Sequence, residues 1–490
     1  MDERANHGVD LHLELSRGGG LRAGLEGALR AAVREGRLAP GTRLPSSRTL
    51  AKDLGIARNT VADAYGQLVA EGWLTARQGS GTRVAGRACP EPPVPASTLV
   101  EASLHAAEHG LSETATLAPR RHYDLRPGSP DLSSFPRSAW LAAARQALNR
   151  APNEAFGYTD PRGRPELREA LAGYLSRARG VRAHPDLMVV CTGFVQAVGL
   201  LGRALAAGSG APPSGRGTSR GGRRIAVEAL GFPDTRTVLR RAGLTTYELP
   251  VDADGARVDA LGDADAVLLT PSHQYPTGVP LSPARRGEVV AWARRTGGVV
   301  VEDDYDGEFR YDRQPVGALQ GLDPSAVVYA GTASKSLVPG LRLAWLALPA
   351  RLLEPVVAEK RLADHHSPVL DQLTLAELIT SGAYDRHVRR MRLHYRRRRD
   401  RLVAALAEHA PHVRVSGIAA GLHAVVELPP GSPSEAELVA RAARLDLALA
   451  GKSYYGTVDA AGPALVIGYG SPPEHAFSGA LERLCAVLAG

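Results

Sequence analysis

The chain has 490 residues, 44% of them hydrophobic, enough to bury a substantial core in two or three domains. Its three cysteines (Cys89, Cys191, Cys485) are too widely spaced for a disulfide framework or a CxxC metal pattern, and no metal site is expected. The opening Met1-Asp2-Glu3-Arg4 lacks the order of a secretory leader and no run of 18 apolar residues occurs, which predicts a cytoplasmic protein with no membrane role; a net charge of +8 permits a nucleic-acid partner without establishing one. The 59 basic residues include only four lysines (Lys52, Lys335, Lys360, Lys452), so each raises the question of why an amine was needed. An amine can condense with an aldehyde and a guanidinium cannot.

Leu21, Leu25, Ala28, Leu29, Ala32 and Val33 recur at helical spacing, and Gly36 with Pro40-Gly41 stops the segment, which predicts a helix over roughly 20–36. Pro45-Ser46 opens a second helix, with Leu50 and Leu54 on its inner face and Gly55 at its end. A third begins three residues later. Its apolar stripe is Val61, Ala64, Tyr65, Leu68 and Val69, which leaves Arg58, Asn59 and Thr60 on the exposed first turn. Trp73 to Val84 reads as a hairpin with Gly79-Ser80-Gly81 at its tip and Thr82 beside it. This is helix-turn-helix geometry: the first turn of the third helix would meet base edges while the hairpin reaches the backbone.

Leu44-Pro45-Ser46-Ser47-Arg48, Arg58-Asn59-Thr60-Val61 and Glu71-Gly72-Trp73-Leu74 followed by Gly79-Ser80-Gly81-Thr82 resemble the winged helix-turn-helix of GntR-type regulators. The resemblance implies a DNA-binding domain over residues 11–84 for a double-stranded operator, with Arg48, Arg58 and Thr60 on the DNA and Gly81 letting the wing approach phosphates. Ala57 stands where the family has a capping Ser, a loss on the order of 1 kcal/mol. Residues 85–120 carry a proline cluster and no clear period, which predicts a linker; Gly208 to Gly222 is Gly, Ser, Pro and Arg, which predicts a structureless surface loop.

Beyond residue 121, β-prone apolar runs alternate with helical segments: Leu187–Val190, Ile225–Val227, Ala266–Leu269, Val299–Val301, Ala326–Tyr329 and Leu343–Leu348. Runs without polar alternation predict a mostly parallel sheet covered on both faces, an α/β architecture with its site at the strands' carboxyl ends. The informative residues fall there. Thr192-Gly193-Phe194-Val195 opens a helix and offers an anion cradle; Asp303 and Tyr305 follow the fourth run; Lys335 ends the fifth and Arg342 begins the sixth. Cradle, carboxylate, phenol, amine and guanidinium in that order suit pyridoxal phosphate, an aldehyde carrying a phosphate. Cys191 is expected to be a small buried thiol, and the eight arginines from Arg389 to Arg401 a solvated, salt-bridged helix face.

Leu125-Arg126-Pro127-Gly128-Ser129-Pro130-Asp131, Gly157-Tyr158-Thr159-Asp160-Pro161-Arg162-Gly163, Thr270-Pro271-Ser272-His273-Gln274-Tyr275-Pro276-Thr277-Gly278, Val301-Glu302-Asp303-Asp304-Tyr305-Asp306 and Thr332-Ala333-Ser334-Lys335 resemble fold-type I aminotransferases. The whole chain resembles the MocR branch of GntR regulators, including its PdxR-like members, in which a winged helix is fused to such a module. The resemblance implies a pyridoxal-phosphate domain over 121–490, with a large part about 150–350 and a smaller C-terminal α+β part about 351–490. It also implies a homodimer and an effector that is either the cofactor itself or a small amine or amino acid. Carried over residue by residue, Lys335 is the Schiff-base lysine, Asp303 the pyridinium partner and Tyr305 the ring-hydroxyl partner. Gly193, Phe194, Val195, Thr332 and Arg342 surround the phosphate, Phe232 stacks on the ring, and Tyr158 reaches the phosphate of the other subunit. Two positions depart from working aminotransferases: Tyr275 replaces an Asn, and Gly462 stands where the substrate-carboxylate arginine is aligned. The missing clamp, about 1.5–3 kcal/mol, favours a sensor over a transaminase with a secondary DNA-binding domain.

Overall fold

Three helices form where the apolar period requires them: α1 (Leu21–Arg34), α2 (Ser47–Leu54) and α3 (Arg58–Ala70). The Ser46 hydroxyl caps α2 by accepting from the Thr49 amide at 3.1 Å. Ala57 occupies the same position before α3, and its side chain makes no capping bond. Strands β1 (Leu74–Arg77) and β2 (Gly81–Val84) pair antiparallel as the wing. Leu25, Leu29, Leu50, Val61, Leu68, Leu74 and Val84 share one core, so helices and wing fold as a single body.

The computed structural model describes residues 20–77, 81–86, 121–208, 222–311, 316–456 and 462–489. The predicted linker beyond residue 86, the tip residues Gly79 and Ser80 and the predicted loop at 209–221 lie outside the described residues. The chain divides into two units, residues 1–110 and 111–490, called here the head and the body.

The body is built on a seven-stranded sheet of β3 (Met188–Cys191), β4 (Arg224–Glu228), β5 (Thr245–Leu249), β6 (Ala266–Leu269), β7 (Val299–Asp303), β8 (Val327–Thr332) and β9 (Ala344–Ala347), in the order β3-β9-β8-β7-β6-β4-β5. Only β9 runs against its neighbours. All six predicted apolar runs are strands of this sheet. The seventh, β5, sits at the edge and is half exposed, which suits Thr245, Thr246 and Glu248. A second, antiparallel sheet joins β10 (Arg414–Ser416), β11 (Ala424–Glu427), β12 (Ala450–Gly451) and β13 (Ala464–Ile467) in the order β10-β11-β13-β12.

Register decides what meets at the sheet's edge. Cys191, Ala344 and Thr332 lie side by side across β3, β9 and β8, and Asp303 pairs with Ala330 of β8. The loop after β3, the approach to β9, the exit of β8 and the end of β7 therefore open at one place. No helix among the described residues is long and apolar enough to cross a membrane.

Candidate functional site

In the head, Arg48 at the start of α2 and Arg58 and Asn59 in the first turn of α3 are exposed, and Thr60 and Thr82 are half-buried. Packing of α3 on α2 is locked by the Tyr65 hydroxyl, which donates to the Pro45 carbonyl at 3.1 Å. The stripe that anchors α3 thereby turns the opposite face, with its cationic first turn, to solvent. Gly81 has a φ of +82°, and the Arg43 guanidinium lies over it, 3.2 Å from where a Cβ would stand. Arg43 is an exposed cation beside the wing that no sequence motif singled out.

In the body, helix α4 (Phe194–Ala206) begins immediately after the β3 exit, with Gly193 as its N-cap at φ 121°. A Cβ at Gly193 would collide with the guanidinium of Arg342, itself in the left-handed region at φ 51°. The missing side chain thus lets an arginine close on the free N–H groups of the helix start, a pairing of donors that fits a phosphate. Gln196 braces the loop: its Oε1 accepts from the Thr192 amide at 2.8 Å, and its Nε2 donates to Asp364 at 2.7 Å. The Thr332 hydroxyl is held inside the turn by Ser334, at 2.9 Å, and the Leu343 carbonyl.

Lys335 follows β8 in a turn anchored from behind. Helix α6 (Ala383–His409) supplies the Tyr384 hydroxyl to Ser336 Oγ at 2.7 Å, and His387 donates through Nε2 to the Ser336 carbonyl at 2.8 Å. The half-buried Lys335 ammonium donates to the Gly128 carbonyl, which brings the 125–131 string onto the amine. Burial holds the Lys335 amine below its ordinary range, opposed by the negative charges of Asp303 and Asp306.

The two adjacent aspartates at the end of β7 have different partners. Arg179 donates to Asp304 through two bonds of 2.7 and 2.9 Å, and Tyr329 adds a third at 2.9 Å. Asp303 is buried, its carboxylate makes no hydrogen bond among the described residues, and it is pushed well above the usual carboxylate range by burial and by Asp304, with Lys335 opposing. A buried carboxylate facing an amine without a hydrogen-bond donor suits a protonated ring nitrogen. Beneath it, Glu228 Oε2 accepts from Thr270 Oγ1 at 2.6 Å and Gln274 Nε2 at 3.1 Å, and burial pushes its carboxyl up to about 7.

Tyr305 is enclosed by aromatic rings. Tyr275 meets it edge-on at 5.6 Å, and His273 lies roughly parallel at 6.3 Å. Sequence reasoning assigned no role to His273, Asp306 or His423, although the first two stand inside the quoted strings. These three bring polar atoms within 4.8 Å of one another.

Other candidate positions are brought to the surface. Phe232, the N-cap of α5 (Pro233–Arg241), is 42% exposed, and Val195 is 41% exposed. Tyr158 is 87% exposed and stacks on His365 at 5.2 Å. Phe194 packs on the β3–α4 core. Gly462 precedes β13, and its carbonyl accepts from Lys452 at 3.0 Å. Within β13 the residue next to Tyr275 is Val466, clustered with Leu230 and Tyr455, so neither side chain offers a cation.

Cys191 is buried as expected, and burial pushes its thiol up to about 12. The arginine run lies on α6, with one departure from a solvated face: Arg398 is 1% exposed and binds Asp131 and Glu474, each at 3.0 Å. It ties the small sheet's helix to the 125–131 string that carries Gly128.

The bacterial regulatory proteins of the gntR family match residues 21–84, and the aminotransferase class I and II family matches residues 128–447. The chain is 32% identical over 460 residues to the HTH-type pyridoxine biosynthesis transcriptional regulator PdxR of Corynebacterium glutamicum, covering 93% of each chain. It is 33% identical to the probable rhizopine catabolism regulatory protein MocR of Rhizobium meliloti, covering 78% of this chain and 76% of that one. Among solved structures, the α-aminoadipate aminotransferase LysN of Thermus thermophilus, complexed with N-(5'-phosphopyridoxyl)-L-leucine, superposes with a TM-score of 0.66 at 25% identity, covering 80% of this chain and 98% of that one. With both modules matched in order and nearly the whole length shared with such regulators, the chain belongs to the MocR branch of the GntR family, transcriptional regulators that join a DNA-binding head to a pyridoxal-phosphate body of the aminotransferase type.

Proposed function

We propose that this regulator senses pyridoxal phosphate, or a small amine that exchanges with it, at Lys335, and reports occupancy as operator affinity of the head. The observation that carries this reading is the convergence of Lys335, Asp303, Tyr305 and the Gly193–Arg342 cradle on one sheet edge, in a chain that also carries a winged helix. When bound, the cofactor supplies an aldehyde that condenses with amines and an electron-withdrawing ring. In this reading Gly193 with the α4 N-terminus and Arg342 bind the phosphate, while Phe194, Val195 and Thr332 frame it. Asp303 holds the ring nitrogen's proton, Tyr305 donates to the ring oxygen, and Lys335 provides the condensing amine. Phe232 and Tyr158, exposed in one chain, are assigned to the ring face and to a second subunit's phosphate, which makes a homodimer part of the proposal. In this reading the DNA-binding domain within the head comprises 11–84, a linker 85–120 and the cofactor domain 121–490.

An apolar Val466 beside Tyr275, and no arginine at Gly462, support sensing over transaminase turnover, because an amino-acid carboxylate would lose a charge-assisted pair there. Footprinting of the chain on its own upstream DNA tests the reading. Pyridoxal phosphate is expected to change protection or affinity in the wild type and to leave Lys335→Ala, which lacks the condensing amine, unmoved. Identical wild-type footprints with and without the cofactor refute it.

A further inference from the structure

Behind Tyr305 lie a hydrogen-bonded pair, His273 and Asp306, and a third residue packed on it, His423, all of which the roles above leave unused. His273 is 3% exposed, Asp306 2% and His423 4%. His273 Nδ1 stands 2.8 Å from Asp306 Oδ2 and 3.0 Å from the Tyr305 hydroxyl, which also lies 3.1 Å from the His273 carbonyl. Hydrogen-bond capacity fixes the protons. An ionised Asp306 only accepts, so Nδ1 carries the proton and shares it between Asp306 and the phenol oxygen. The phenol hydrogen then goes to the His273 carbonyl. His423 donates through Nε2 to the Pro276 carbonyl at 3.1 Å and packs its ring on His273 at 4.9 Å. A glycine makes this closeness feasible: a Cβ at Gly421, which has a φ of +70°, would collide with both the Asp306 carboxylate and the His273 ring.

We infer that Asp306 and His273 form a positioning relay that polarises the Tyr305 phenol, and that this relay sets the proton affinity of the cofactor oxygen Tyr305 contacts. The inference rests on the proposed cofactor site. A phenol whose oxygen accepts a charge-backed N–H is a stronger donor through its own hydrogen, because bonds in such chains polarise one another. Swinging that hydrogen from the His273 carbonyl to the cofactor's ring oxygen needs rotation about one C–O bond, with His273 Nδ1 still bonded to the phenol. The groups facing Tyr305 and His273 are Asp306, His423 and Tyr275, with Asp303 and Lys335 at longer range. Burial, with Asp306 next, keeps the Tyr305 phenol protonated well above its ordinary range, and burial keeps His423 neutral. Asp306 is the acidic group in direct hydrogen-bond contact with His273.

The test is a pH titration of the bound cofactor's visible absorbance in the full-length chain. His273→Phe keeps a ring on Tyr305 and removes the donor; weaker donation leaves the ring oxygen more basic, so the midpoint is expected to rise by about half a unit to one unit. His273→Ala makes the same prediction if the larger ring does not fold. His273→Asn, whose amide N–H takes the place of Nδ1–H, is expected to titrate near the wild type. In a Tyr305→Phe background, His273→Phe is expected to shift nothing further. If the wild type takes up no absorbing cofactor, the proposed site and the relay both fall. If it takes up the cofactor and His273→Phe, or Ala, titrates at the wild-type pH, the relay alone falls.

Discussion

The head and the body place their candidate functional side chains in opposite physical settings. Arg48, Arg58 and Asn59 stand in solvent on a scaffold whose core they do not touch, whereas Asp303 is buried and Lys335 half-buried, the amine held by a carbonyl distant in sequence. The difference predicts where substitutions will be felt. In the head, side chains can change with little effect on folding, because solvent takes over what is lost. In the body, removing one member of a buried network leaves its partner charged and desolvated.

The largest expected effect is in the body. Arg179→Leu leaves Asp304 buried with the neutral hydroxyls of Tyr329 and Ser272 beside it, and breaking such a pair costs about 3–5 kcal/mol. Burial opposes ionisation of Asp304, and the Arg179 guanidinium outweighs it, holding that carboxyl below the usual range. Urea unfolding followed by tryptophan emission reports mainly on the body, which contains Trp140, Trp292 and Trp345 against Trp73 in the head. A variant as stable as the wild type would show that Asp304 finds another partner.

In the head the corresponding experiment is Arg58→Ala. Unfolding should be unchanged, while affinity for an operator fragment falls by about five- to a hundredfold, the range for one lost base or phosphate contact. Titrations at several salt concentrations decide between the two roles: a lost phosphate contact lowers the salt slope by about one, and a lost base contact leaves it intact. Loss of both stability and binding would break the contrast between the two regions.

Periodicity made most of the fold legible. The head's helices and six strands of the large sheet carry strong patterns, since buried parallel strands read as unbroken apolar runs. The edge strand β5 was hidden because an edge tolerates Thr245, Thr246 and Glu248. The candidate site was legible as positions where short motifs stand at strand ends, as at Asp303, Tyr305 and Lys335, which the register brings to one edge of the sheet. His273, Asp306 and His423 were not, because their relation exists only after three segments fold together. The scarcity of lysine was an incomplete guide. Lys360 is buried on Asp364 and Ser367, and Lys452 serves the Gly462 carbonyl, so amines here also fill structural places where three compact donors are wanted.

The smallest effect sharpens the comparison most finely. Ala57 already has the extended backbone of an N-cap (φ −67°, ψ 139°), close to that of Ser46 (φ −63°, ψ 152°), but lacks the acceptor that Ser46 supplies. Ala57→Ser restores that acceptor for the Thr60 amide without moving the chain and should stabilise the head by about 1 kcal/mol. Hydrogen exchange of the α3 amides reads this directly, with roughly fivefold slower exchange per 1 kcal/mol if the head opens as a unit. Unfolding of the body should not respond. Operator affinity should change far less than in Arg58→Ala, because the side chains proposed to meet DNA keep their places and only the helix beneath them gains a bond. Unchanged exchange in α3 would mean that its start is already held by something other than a cap, and that the head's exposed first turn is less independent of its core than the contrast with the body requires.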